Sequence, residues 1–323
     1  MYLDYYQLRE YPFTLASDPR FLYFSEGHKE AMAGLLYSLH ERKGVALLLG
    51  EPGTGKTTVL AAVLEMLPGG IHAQSLDSPL HATPEAALQA ILRGFGLAGG
   101  GAGLSANLAV LQAYLRERHA AGECVLLIID EAQDLNPMVL EQVRLLTNLE
   151  HRGHKLLQII LSGQPELAEH LRLANGRALH QRVAVRCHLE ALTGPEVQAY
   201  LSARLERAGA QRGLFEAPAV ERIHQLAAGV PRVINVIADH CLLAGFAAQA
   251  PRVNRGLVDR VAVKLDMMPA PKPMPAAGAA AAAAPARPPA PPDPPGQGAR
   301  LPGVLQRFAS GCARYAGFAQ SGE

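Results

Sequence analysis

Five consecutive apolar residues, Val45 to Leu49, run into Gly50-Glu51-Pro52-Gly53-Thr54-Gly55-Lys56-Thr57. The spacing GxxxxGK[ST] predicts a loop whose glycines let backbone N–H groups turn onto phosphate oxygens. From Lys56 to Leu67 the apolar residues recur with helical spacing. The loop therefore joins a strand to a helix, and the helix N-terminus adds a partial positive charge. Gly50, Glu51, Pro52, Gly53, Thr54, Gly55, Lys56, Thr57 and Thr58 form the expected cradle for ATP. Lys56 reaches the β and γ phosphates, and the Thr57 hydroxyl turns to Mg²⁺. A wholly apolar strand must be covered on both faces, which places it in a parallel sheet between helices.

The rest of the chain agrees with that architecture. Further strands are expected at Ile71 to Leu76, Val125 to Ile129, Leu156 to Leu161 and Val183 to Leu189. Helices are expected at Lys56 to Leu67, Leu104 to His119 and Pro137 to Glu150. Beyond Leu192 only helical patterns follow: Thr193 to Ala208, Pro218 to Ala228, Pro231 to Ala248 and Asn254 to Leu265. The reading is an α/β nucleotide-binding domain with its N-terminal segment over 1–190, then a helical lid over 191–267. From Pro269 to Pro302 the composition shifts to 12 Pro and 12 Ala, an extended linker assigned to 268–302. A stub over 303–323 ends the sequence. Leu301, Val304, Leu305 and Phe308 have the spacing of a small docking helix for a partner or a membrane surface, or of a frayed end.

A second motif lies on the Val125 strand, which ends in Asp130-Glu131. Adjacent acids at a strand end can be no more than a cap. Beside a phosphate loop they read as the magnesium and water-activating pair: Asp130 holds Mg²⁺, through water, and Glu131 is the general base.

Several functions are excluded or weakened. With 30 basic and 29 acidic residues the net charge is +1, so no global field attracts nucleic acid. Cys124, Cys187, Cys241 and Cys312 are far apart with no CxxC, which argues against a zinc ribbon or disulfide scaffold and for a reducing cytoplasm. The charged N-terminus does not read as a signal peptide. The apolar helix from Val233 to Ala250 contains Asp239 and His240, so no transmembrane segment is expected. Gly94-Phe95-Gly96-Leu97-Ala98-Gly99 matches GxGxxG but follows a helical stretch, Glu85 to Arg93, the wrong context for a dinucleotide fold; Gly94 to Gly103 reads as a loop.

The order of phosphate loop, acidic strand end, polar strand end, arginine-bearing helix end and helical lid resembles the AAA+ ATPases. Within them the chain resembles the ExeA-type ATPases of general secretion over roughly residues 1–267. The marks are Met1-Tyr2-Leu3-Asp4-Tyr5-Tyr6, Pro12-Phe13, Ser17 to Tyr23, His28 and the phosphate loop itself. Asp130-Glu131-Ala132-Gln133, Ser162 to Leu167, Gln181-Arg182 and Gly229 to Asn235 complete them. The resemblance implies that Gln164 is the water-aligning or γ-phosphate sensor, with Ser162 as the alternative. It implies that Arg232, in the first turn of a lid helix, grips phosphate across the cleft, a surface salt bridge being the bland alternative. Arg182 resembles a finger supplied to a neighbouring subunit, with Arg177 and Arg186 competing. Phe13 and His28 resemble the adenine-side wall, or are packing residues. Relatives commonly continue through a transmembrane helix into a periplasmic peptidoglycan-binding domain, where this sequence has the Pro/Ala segment and the stub.

The expected function is that of an oligomeric ATPase driving assembly or remodelling of a protein machine for secretion, pilus formation or export. It would act in the cytoplasm or peripherally at the inner membrane. A nucleic-acid-associated ATPase, of the transposition-regulator or helicase-loader kind, is the alternative. Its candidate phosphate-backbone contacts are Arg204, Arg207, Arg212, Arg222 and Arg232 in the lid. A nucleotide-gated switch with little turnover is a third reading, against which Lys56 and Glu131 both argue.

Overall fold

The apolar runs assemble into one parallel sheet. A computed structural model of the protein describes residues 1–14, 21, 23–77, 83–101, 103–173 and 176–267. The strands are β1 (Val45–Gly50), β2 (Ile71–Asp77), β3 (Cys124–Asp130), β4 (Glu150–His151), β5 (His154–Lys155), β6 (Leu157–Gly163) and β7 (Val183–Leu189). The first helices are α1 (Tyr2–Tyr6), α2 (Glu26–His40), α3 (Lys56–Glu65), α4 (Pro84–Gly94), α5 (Leu104–Ala120) and α6 (Pro137–Leu146). There follow α7 (Pro165–Arg172), α8 (Arg177–His180), α9 (Gly194–Arg207), α10 (Ala217–Ala227), α11 (Pro231–Ala247) and α12 (Arg255–Lys264). The Pro/Ala segment, the stub, Cys312 and most of the Ser17 to Tyr23 mark lie outside the described residues.

The five-stranded sheet has the order β2-β3-β6-β1-β7, every pair parallel. Alternation along each strand serves two cores. Leu47, Leu127, Ile129, Ile159 and Leu161 pack with Leu88, Ile91, Leu111, Leu115, Val139 and Val143 of α4, α5 and α6. Leu48, Leu126, Ile128 and Ile160 alternate to the other face and are equally buried; α2 and α3 cover β1 and β7. Each such side chain contributes about 2 kcal/mol of burial free energy. This explains why the central strands β1, β3 and β6 have no exposed face, whereas the edge strand β7 exposes Arg186 and His188.

Helix α6 stops at Leu146 rather than running to Glu150. Thr147 bonds back to the Arg144 carbonyl, 2.7 Å, and the chain turns into the β4–β5 hairpin. Its turn, Arg152-Gly153, has positive φ at both residues (50° and 80°).

The N-terminal segment packs with the lid, not with the sheet. Tyr2, Tyr6, Leu8 and Phe13 share a core with Tyr200, Leu205, Phe215, Ile234, Cys241 and Val261. Tyr2 OH bonds Asp239, Tyr6 OH donates to the Ala250 carbonyl at 3.0 Å, and Arg9 N–H donates to the Ala208 carbonyl at 2.7 Å. Burial pushes the Tyr6 phenol up to about 12, helped by Tyr5, and the thiols of Cys187 and Cys241 to about 11 and about 12, which makes both thiols poor nucleophiles. The tether is Arg204 on α9. Its Nε donates to the Pro12 carbonyl at 2.6 Å and its Nη1 to Tyr200 OH at 2.9 Å, with the guanidinium over the Phe21 ring, 5.1 Å from its centroid. Asp239 therefore has a structural partner within the long apolar helix. No helix among the described residues is long and apolar enough to cross a membrane.

Arg204 is 7% exposed, so removing it strands the carbonyl it serves. Arg204→Ala is expected to lower unfolding stability by about 3 kcal/mol and to speed hydrogen exchange at the Arg9 amide. Unchanged melting and exchange would show that the N-terminal segment holds to the lid without it.

Candidate functional site

The carboxyl ends of β1, β6 and β3 meet at one edge because their registers align: Leu49 pairs with Gly163, and Ile129 with Leu161. From that edge the phosphate loop leaves β1. Gly55 has φ +105°, and a Cβ there would lie 2.8 Å from His28 Nε2, so only glycine fits. His28, 4% exposed on α2, supports the loop from beneath. Its Nε2 lies 3.0 Å from the Thr54 carbonyl and its Nδ1 2.6 Å from Ser25 Oγ. A carbonyl only accepts, so Nε2 carries the proton and Nδ1 accepts from Ser25. His28 thus lies under the phosphate end and also lines the cleft. Phe13 instead packs against Phe215 in the lid core, ring centroids 6.0 Å apart. The Lys56 ammonium rests on the carbonyls of Gly50 (2.8 Å) and Glu51 (3.3 Å) at the loop mouth.

Asp130 is fixed from three directions. Thr57 Oγ1 donates to Oδ2 at 3.0 Å, and Ser162 Oγ and the Glu131 N–H donate to Oδ1 at 2.7 and 3.0 Å. Thr57 and Asp130 thus present hard oxygen donors side by side, the donor set Mg²⁺ prefers. Glu131 follows at φ 49°, a left-handed turn that ends β3. Of the two sensor candidates, Ser162 touches Asp130 directly. Gln164 stands at the start of α7, its N–H donating to Gln133 Oε1 at 3.0 Å. The Gln133 side chain also reaches Glu131 Oε2, 2.8 Å. The sequence displayed Gln133 as part of a mark but gave it no role.

The lid closes the other wall. Arg232 N–H donates to the Gly53 carbonyl at 3.3 Å, in the first turn of α11. A cleft of about 360 Å³ lies between, lined by Lys56, Thr57, Glu131, Arg232, Asn235 and Tyr200 among others. This is within the roughly 300–1,000 Å³ of ligand pockets. Asn235 Oδ1 accepts from Tyr200 OH at 2.8 Å, which carries the lid motif's last residue onto α9.

The finger candidates sit away from this cleft. Arg182 Nη1 donates to the Arg144 carbonyl (2.9 Å) and to Thr147 Oγ1 (2.5 Å), at the end of α6. Arg186 Nη2 lies 3.3 Å from the His180 carbonyl, and Arg177 is exposed at the start of α8. Of the lid arginines, Arg204 is buried, Arg222 pairs with Asp259 at 2.6 Å, and Arg232 lines the cleft. Only Arg204 of these three is withdrawn from the surface; Arg232 is exposed at the cleft and Arg222 is half-buried beside Asp259.

Known proteins agree with this architecture. Residues 39–171 match the AAA domain family. Over 266 residues, 82% of this chain, the sequence is 41% identical to general secretion pathway protein A of Aeromonas hydrophila. The chain spans 48% of that relative's length. Among solved structures, the ORC2 protein of Aeropyrum pernix is 21% identical with a TM-score of 0.58, over 78% of this chain and 71% of that one. Cdc6p from Pyrobaculum aerophilum is 19% identical with a TM-score of 0.60, over 76% and 70%. At such identities these two bear on the fold alone. By fold and by phosphate loop, residues 39–171 form an AAA domain of the P-loop type, and the chain resembles general secretion pathway protein A.

Proposed function

We propose that the protein hydrolyses ATP to ADP and phosphate and uses the cycle to assemble or remodel a secretion, pilus or export complex. One observation carries the hydrolytic part: Lys56, Thr57, Glu131 and Arg232 all line one cleft, with Asp130 bonded to Thr57. The similarity to general secretion pathway protein A supports the process, in the cytoplasm or at the inner-membrane surface. The working division is the sheet with its helices to residue 190 and the lid over 191–267, which the N-terminal segment joins. The Pro/Ala linker over 268–302 and the stub over 303–323 follow.

In this reading Gly50 to Thr58 bind the phosphates, and Lys56 offsets their charge. Mg²⁺ held by Thr57 and Asp130 would neutralise charge on the β and γ oxygens. Glu131 accepts a proton from water as the water oxygen bonds to the γ-phosphorus. The bond from that phosphorus to the β–γ bridging oxygen breaks, and ADP leaves with the electron pair. Gln164 aligns the water, while Ser162 holds Asp130. Arg232 brings a guanidinium from the lid, so occupancy couples to lid position. Arg182 is the finger proposed to act on a neighbouring copy, and to do so it must release the end of α6.

Lys56→Ala should abolish tight ATP binding, read by titration. Glu131→Gln should bind ATP but lose turnover by about 10²-fold or more; wild-type phosphate release from this variant would remove Glu131 as the base.

His28 gives a pH dependence. Burial depresses its pKa, partly offset by its bond to the Thr54 carbonyl and by Glu196. The native state therefore favours the neutral ring, and the unfolded chain takes up the proton first. Its stabilisation is complete above the unfolded value near 6.5 and declines as pH falls below it. Thermal melts should show stability dropping from about pH 6.5 downward, with a shallower slope in His28→Gln. An identical slope in the variant would assign that pH dependence to other groups.

Specific activity should rise with protein concentration if a finger crosses a subunit boundary. Arg182→Ala should bind ATP normally and lose that rise, at a cost of about 10³-fold in rate. Mixing it with Glu131→Gln should restore part of the activity, because some interfaces then join an intact Glu131 to an intact Arg182. Loss of the rise in Arg177→Ala or Arg186→Ala instead would move the finger to that residue.

A further inference from the structure

Gln133 lies two residues beyond Glu131, in the 3-10 turn Ala132–Asp134. Both ends of its amide are engaged. Its Oε1 accepts the Gln164 backbone N–H at 3.0 Å, and its Nε2 donates to Glu131 Oε2 at 2.8 Å. The orientation of the amide is not ambiguous. A backbone N–H can only donate and a carboxylate can only accept, so the oxygen faces Gln164 and the nitrogen faces Glu131. A glutamate at this position would accept from Gln164 but set a second carboxylate against Glu131. Aspartate and asparagine are one methylene too short to span both partners. The site is built to admit this amide: a Cβ on Gly163 would lie 2.7 Å from Gln133 Oε1.

Of Glu131 and Gln133, only Glu131 lines the cleft. The left-handed turn at Glu131 (φ 49°) reverses the chain at the end of β3, which lets a residue two positions on reach back to its carboxylate. One carboxylate oxygen, Oε2, is then occupied by Gln133. The same amide is anchored to the end of β6 through Gln164. The two strand ends that carry the base and the proposed water-aligning residue are thus joined by a single side chain.

We propose that Gln133 is a positioning residue for hydrolysis: its amide sets the rotamer of Glu131 and fixes the distance between Glu131 and the start of α7. Gln133 does not touch nucleotide or water in this assignment; it acts through Glu131. The proposal rests on the reading of Glu131 as the base that takes the water proton. Misplacing a reacting group by about 1 Å can cost roughly 10²-fold in rate, which sets the scale of the expected effect.

The test uses the full chain with ATP, reading steady-state phosphate release and equilibrium ATP binding for Gln133→Met, Gln133→Glu, Glu131→Gln and the double variant Glu131→Gln/Gln133→Met. Methionine keeps the length of the side chain without a donor or acceptor pair. Gln133→Met should lower kcat by about ten- to a hundredfold, with ATP affinity within about twofold of wild type. Gln133→Glu should lose at least as much. In the Glu131→Gln background, Gln133→Met should cost nothing further, because the group it positions is already disabled. A purely structural role would lower melting temperature and activity in both backgrounds alike, and that result overturns the proposal. Wild-type or raised kcat in Gln133→Met, with Glu131→Gln inactive, overturns it while leaving the ATPase reading intact. Wild-type turnover by Glu131→Gln overturns the ATPase reading and this one together. If Gln133→Met does not fold, Gln133→Glu decides alone: wild-type kcat in it overturns the proposal, and a lower kcat with intact ATP affinity supports it.

Discussion

Because β3, β6 and β1 are hydrogen-bonded in parallel with Ile129, Leu161 and Leu47 across from one another, their carboxyl ends finish at a common edge. The polar groups at and just behind one cleft wall follow from that alignment. Asp130 comes from β3, Ser162 from β6, and the phosphate loop from β1. None of the three could reach the others if a strand slipped by two residues, about 7 Å along the sheet. The buried side chains that hold this register, such as Leu127 and Ile159, are distant from any chemistry. They nevertheless decide whether Thr57 and Ser162 can grip one carboxylate from opposite sides.

The second wall is made differently. Its position depends on contacts between segments far apart in sequence: Arg232 against Gly53, Tyr200 against Asn235, and Arg204 against Pro12. These are hydrogen bonds and ring contacts on a helical unit, not a continuous sheet. A wall of this kind can shift as a body while the strand edge stays fixed, which suits a site whose occupant must enter and leave.

The central strands β1, β3 and β6 were legible in the sequence because each is an apolar run of strand length ending near a glycine or an acid, while β2 and β7 mix polar residues into shorter apolar alternation. The phosphate loop was legible because only glycine can stand at Gly55, over His28. The strand order was not legible: nothing local to Leu157–Gly163 says that it lies between β1 and β3. The end of α6 was misjudged because Asn148, Leu149 and Glu150 are compatible with a helix, and only the Arg152-Gly153 turn pulls them away. His28 and Phe13 carried equal weight in the sequence, yet one supports the phosphate loop and the other fills the lid. Gln133 was visible as a letter after Glu131. Its partner, the Gln164 backbone, is 31 residues away, and no spacing rule connects them.

The pairing of the N-terminal segment with the lid has a consequence for how the chain is made. Tyr2 finds Asp239 at a sequence separation of 237. During synthesis Tyr2, Tyr6, Leu8 and Phe13 emerge well before the helices α9 to α12 that cover them. The sheet and its helices can condense before that, since their partners are already present. The aromatic N-terminal residues meanwhile remain uncovered, an invitation to chaperones or to mispairing with another nascent copy. Such long-range closure is slow by nature. Completion of the fold should then be paced less by the conspicuous sheet than by the later return of the helical unit to residues made long before it.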